Sequence, residues 1–118
     1  MPNPVVHVEV IGKDGKKLQK FYSDAFGWKI DASNPMEYGL VDNAGEGIGG
    51  GVAGGEAPSV TFYIQVKDPK AALAKVKSLS GQVVQDVTVI PGMVTMAQFK
   101  DPEGNLVGIV AEETPPAQ

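Results

Sequence analysis

Cysteine is absent from this chain of 118 residues, and histidine and tryptophan occur once each. The first absence excludes disulfide scaffolds, thiolate metal sites and cysteine nucleophiles. No apolar run approaches the length of a membrane span, and Met1-Pro2-Asn3-Pro4 lacks the basic segment and apolar stretch of a secretory leader. A cytoplasmic protein with no membrane partner is therefore expected. Positive charge is scarce as well: the formal net charge is -4, and the ten basic residues are dispersed or fall on helix surfaces. That balance argues against nucleic acid as a partner and leaves a small organic molecule or a second copy of the chain. Nothing in the sequence activates a particular serine, so no Ser/His/Asp arrangement can be argued.

What is present suffices for one compact domain. Hydrophobic residues make up 42% and charged residues 20% of the chain, enough for a single core and too little for two independent ones. From Pro4 to Ile11, Val6, Val8 and Val10 alternate with His7, Glu9 and Ile11, the period of a strand with one apolar face. Asp14 can cap a helix in which Leu18, Phe21, Tyr22, Ala25 and Phe26 form the apolar stripe, ended by Gly27. Short strands are expected at Trp28 to Ile30 and Tyr38 to Val41, with a turn at Ala32 to Pro35 between them. The glycine-rich run from Asp42 to Pro58 reads as a hairpin turn, a short strand near Ile48 to Val52, and a linker.

The pattern then restarts. Val60, Phe62, Ile64 and Val66 alternate with Thr61, Tyr63 and Gln65, and Asp68-Pro69 opens a helix striped by Ala72, Leu73, Val76 and Leu79 and closed by Gly81. Strands follow near Gln82 to Val89, Met93 to Lys100 and Leu106 to Glu112, with a loose tail expected over Thr114 to Gln118. A shift of 54 positions lays Val6 on Val60, Lys13 on Lys67, Asp14 on Asp68 and Gly27 on Gly81 without a gap. The fold class is thus α+β, two tandem βαβββ modules over about residues 4-53 and 59-113 in a single domain spanning residues 1-118.

Several residues on this framework could carry chemistry. His7 and Glu9 share the face opposite the apolar stripe and could form a carboxylate-histidine pair titrating near neutrality. The structural alternative is a partly buried, hydrogen-bonded histidine. Thr61, Tyr63 and Gln65 lie on the corresponding face of the second module, where a small-molecule pocket, a half-solvated sheet face and a subunit interface are all open readings. Trp28, Met36, Tyr38, Met93 and Met96 could touch a ligand, but filling a core is the commoner fate of such side chains. Gly45, Gly47 and Gly50 satisfy GxGxxG, yet no helix begins at those glycines, so no dinucleotide site follows.

The two modules, Phe21-Tyr22 in the first helix and the turn Asp101-Pro102-Glu103-Gly104-Asn105 together resemble the vicinal oxygen chelate superfamily, the glyoxalase, bleomycin-resistance and extradiol-dioxygenase group. The resemblance implies modules arranged around a concave mixed sheet, often in a homodimer. In metal-dependent members it implies ligands that would fall here at His7, Gly49, Thr61 and Gly108. Only His7 offers a strong donor, so no cofactor is expected and a divalent metal is disfavoured. The leading expectation is a metal-independent small-molecule-binding protein. A lyase or isomerase using His7 and Glu9, or completing a metal site across a dimer, is the alternative. A purely structural dimeric module is the third.

Overall fold

The computed structural model describes residues 2 to 112, so the tail expected over Thr114 to Gln118 lies outside the described residues. In chain order the elements are β1 (Val5–Gly12), α1 (Gly15–Phe26), β2 (Lys29–Asp31), β3 (Gly39–Asp42), β4 (Gly49–Gly54), β5 (Ser59–Val66), α2 (Pro69–Ser78), β6 (Gln82–Ile90), β7 (Val94–Lys100) and β8 (Leu106–Ala111). The βαβββ order occurs twice, as the repeat in the sequence requires. Contacts divide the chain into two compact units, Val6–Phe62 and the segment from Tyr63 onward joined by the residues before Val6.

In the first unit β1 runs parallel to β4, and β4 and β2 flank β3 in antiparallel pairs. The Asp14 carboxylate accepts the Lys17 backbone N–H and starts α1, and Gly27 ends it with φ of 71°. That left-handed angle is available to glycine at little cost, which explains the stop at Gly27. Leu18 lies over Gly12, on the face that β1 also gives to Val6, Val8 and Val10. His7 and Glu9 therefore project from the face away from α1. The stripe on α1 is less covered than its spacing suggests. No residue of the helix is fully buried, and Phe21 and Phe26 are 56% and 65% exposed.

The other unit holds a denser core. Val66, Leu73, Ala97 and Ile109 form a buried cluster against which Ile64, Ala72, Val83, Val87 and Phe99 lie. Here β8 pairs in parallel with β5 and antiparallel with β7, which in turn pairs with β6. Asp68 caps α2 by accepting the Ala71 N–H, the geometry of Asp14 repeated 54 residues later. Gly81 does not close this helix by a left-handed turn. Ser80 carries the positive φ of 75°, and Gly81 is needed because a side chain there would meet Val76 at 2.4 Å.

The two hairpin turns also correspond. Asp101 accepts the Glu103 and Asn105 N–H groups, and Gly104 adopts φ of 90°. The Asn105 amide on Asp101, helped by these backbone donors, holds the Asp101 carboxyl below its ordinary range. In the first unit Asp42 accepts the Ala44 N–H and Gly45 takes φ of 79°. The glycine run read as turn, short strand and linker is strand as far as Gly54, two residues beyond the expected end at Val52.

Candidate functional site

Strand β1 carries His7 and Glu9 on one face, where they stand opposite Gly49 and Gly51 of β4. The alternation that brings two polar side chains to this face also aims two missing ones at it. Into the space over Gly51 comes the ring of Tyr38, from the turn that precedes β3. Its hydroxyl lies 2.8 Å from His7 Nε2 and donates to Glu9 Oε2 at 3.0 Å. The two side chains expected to cooperate are joined through this phenol, and the His7 and Tyr38 rings lie nearly parallel, 19° apart.

Glycine at position 51 is what admits the ring. A Cβ there would fall 2.0 Å from Tyr38 Oη and 2.2 Å from Cε2. Carbon atoms rest at roughly 3.5 to 4.0 Å, so any side chain would expel the phenol. The backbone of Tyr38 is held as firmly. Asn34 Oδ1 accepts its N–H at 3.0 Å, and Asn34 Nδ2 donates to its carbonyl at 2.7 Å. Gln19 of α1 donates to the Glu37 and Val52 carbonyls, tying the turn to both the helix and β4. Glu37, immediately before the tyrosine, takes φ of 51° to make the connection.

The hydrogen-bond directions fix the proton arrangement. The phenol has one proton, and Glu9 receives it. In the matching tautomer His7 donates from Nε2 to the phenol oxygen. Burial pushes the His7 imidazole below its ordinary pKa, and the charge of Glu9 opposes that shift. Gly49, facing His7, is different from Gly51: a Cβ there would meet only the Val6 carbonyl oxygen, at 3.6 Å. A methyl group at position 49 would therefore be accommodated beside the histidine.

Of the other expected positions, Thr61 is buried in β5 at 3% exposure and belongs to the unit of His7. Tyr63 and Gln65 belong to the other unit. There Tyr63 is 5% exposed, covers Gly108 and accepts a hydrogen bond from Gln98 Nε2 at 2.9 Å. A Cβ on Gly108 would sit 2.2 Å from its ring. Gln65 is half-buried. Tyr38, weighed in the sequence as a possible ligand contact but more readily as core filling, is the residue that the structure joins to His7 and Glu9. The usable signal was the pair of glycines opposite His7 and Glu9, which leaves room for an aromatic ring from a neighbouring connection.

The family model for the glyoxalase, bleomycin resistance protein and dioxygenase superfamily matches residues 5–109. The chain belongs to that superfamily. A glyoxylase-like domain-containing protein of Didymella fabae is 31% identical over 109 residues, covering 83% of this chain and 85% of that protein. Among solved structures, a superfamily member from Vibrio splendidus 12B01 is similar with a TM-score of 0.64 at 20% identity, covering 94% of this chain and all of that one. Methylmalonyl-CoA epimerase of Mycobacterium tuberculosis has a TM-score of 0.69 at 14% identity over 93% of this chain and 88% of its own. The Mn(II)-bound glyoxalase of Novosphingobium aromaticivorans has a TM-score of 0.69 at 15% identity, covering 97% of this chain and 42% of its own. These structural likenesses establish the superfamily fold.

The metal that the superfamily resemblance implies does not fit the side chains at the corresponding places. Gly49 and Gly108 supply no donor, and Tyr63 fills the space above Gly108. His7 Nε2 and Glu9 Oε2 are both engaged with the Tyr38 hydroxyl. Among the described residues no group of three or more His, Cys, Asp or Glu side chains could hold an ion. Zinc sites take about three or four such protein donors, which the residues at these positions do not supply.

Proposed function

We propose that this superfamily member is a small-molecule-binding protein that works without a metal ion, using His7, Tyr38 and Glu9 as its polar contacts. The observation that carries the reading is the fixed phenol on Gly51, joined to His7 and Glu9, beside the bare strand backbone at Gly49. A pocket needs a few polar groups held in place and backbone that a ligand can approach closely, and glycine in a strand supplies the second. Thr61, of the same unit, is a further ligand contact in this proposal, and Tyr63 and Gln65 are proposed contacts within the other unit. The protein is proposed to be cytoplasmic; among the described residues no helix is long and apolar enough to cross a membrane. A homodimer is proposed on the unpaired outer side of β6, a strand of nine residues.

Thermal stabilisation by a panel of small organic molecules, measured with chelator and then with added divalent metal, tests the reading. A hit that persists in chelator and is lost in Tyr38→Phe and His7→Ala supports it. Stabilisation that requires metal overturns it.

A second reading, a lyase or isomerase, is favoured by one specific feature. The His7, Tyr38 and Glu9 side chains form a continuous hydrogen-bonded path along which a proton can be passed. In that case His7→Ala abolishes turnover while leaving the fold intact, and Tyr38→Phe lowers kcat. In a binding protein both variants change affinity alone.

A further inference from the structure

The opposite face of the same sheet contains a hollow of about 620 Å3 that the reading above does not use. Gly50, with no side chain, is part of its floor. Gly50 stands directly between Val8 of β1 and Val41 of β3, and the three share the face on which α1 lies. The two valines make the floor, with a gap where residue 50 has no side chain. Helix α1 stops at Phe26, and the left-handed Gly27 turns the chain so that Trp28 lines the hollow as a wall. Tyr22 stacks on the indole at 4.9 Å and 15°, which holds the wall in place. Trp28 and Ile48 remain 37% and 52% exposed.

Asp42 and Glu46 are among the lining residues, with a single Lys29, in a chain whose net charge is already -4. A volume within about 300 to 1,000 Å3 suits a small molecule. An apolar floor with an indole wall selects a flat ring, and an aromatic face beside carboxylates selects positive charge.

We propose that the hollow bounded by Val8, Val41, Gly50 and Trp28 is a second binding site, for planar aromatic cations of about two fused rings. It lies on the face of β1 and β4 opposite the His7 side chain, with the Gly49 backbone bordering both.

The test follows Trp28, the only tryptophan, through its indole N–H signal during titration with N-methylquinolinium. Naphthalene and naphthalene-2-sulfonate serve as the neutral and anionic counterparts. Saturable one-to-one binding of the cation that moves the Trp28 signal and leaves the His7 ring signals in place is the expected result. Glu46→Gln should weaken it by up to about fivefold, the worth of one exposed ion pair. Trp28→Leu should remove it, with circular dichroism confirming an unchanged fold. If that variant unfolds, the signal shifts and Glu46→Gln still decide. Equal binding of all three compounds, survival of cation binding in folded Trp28→Leu, or a response at His7 instead of Trp28 each overturns the proposal. Failure here leaves the His7 reading intact, because that reading is judged by the loss of its hits in Tyr38→Phe.

Discussion

Gly51→Ala is a one-carbon change that should dismantle the polar centre of the first unit. The added Cβ would stand 2.0 to 2.2 Å from Oη, Cζ and Cε2 of Tyr38, too close for relief by small adjustments. The ring must leave. With it go the bond to the Glu9 carboxylate, worth about 1.5 to 3 kcal/mol, and the bond to His7, worth about 0.5 to 1.5 kcal/mol. Partial solvent access to the freed groups reduces the loss, and replacing a strand glycine by alanine returns about 0.4 to 1 kcal/mol through the unfolded chain. A net destabilisation of about 1 to 3 kcal/mol is expected in urea unfolding at neutral pH. Truncating the ring first should remove the conflict, so in a Tyr38→Ala background Gly51→Ala should be neutral or slightly stabilising. The resulting coupling is about 1 to 3 kcal/mol, well outside additive behaviour. Gly49→Ala, two positions away with only the Val6 carbonyl at 3.6 Å, is the matched control and should be tolerated. A Gly51→Ala protein as stable as the parent, with its Tyr38 to His7 contacts intact by NMR, would refute the reasoning.

Three further outcomes follow from the same geometry. Gly108→Ala should push Tyr63 off the Gln98 amide and destabilise by about 2 to 4 kcal/mol, since the displaced ring is buried; urea unfolding with and without Tyr63→Ala checks it. His7 binds its proton more weakly when folded, because burial outweighs the Glu9 charge. The unfolded chain therefore takes up the proton first, at about pH 6.5, and stability should fall as pH drops through and below that value, then level off once the folded form is protonated too. His7→Gln should flatten that slope in unfolding curves taken from pH 8 down to about pH 5. Asp14→Ala removes the carboxylate that accepts the Lys17 N–H and should cost about 0.5 to 2 kcal/mol by thermal unfolding.

Much of the fold was legible because it rests on local rules that repeat. The alternation of Val6, Val8 and Val10, the caps at Asp14 and Asp68, and the turn around Gly104 each report a constraint within a few residues, and the 54-residue shift doubles every signal. The placement of His7 and Glu9 on one face followed from strand periodicity alone. Tyr38 did not, because no periodic signal marks what brings it there: a local clamp by Asn34, a positive φ at Glu37, and, from another strand, a glycine on β4. Glycine runs are ambiguous for the same reason. Gly49 to Gly51 have the composition of a turn but fall in the strand expected near Ile48 to Val52, and their bare faces make room for Tyr38 on one side and border the hollow on the other. The stripe of α1 was read correctly as periodic, but periodicity does not reveal how much surface a neighbour covers, and Phe21 and Phe26 stay exposed.

The most direct test of the central claim is a calorimetric titration of chelator-treated protein with zinc, followed at the His7 ring by NMR. With Nε2 of His7 and Oε2 of Glu9 both held by the Tyr38 hydroxyl, the account predicts no saturable one-to-one uptake and unmoved His7 signals. One ion bound per chain with the His7 resonances displaced would contradict it.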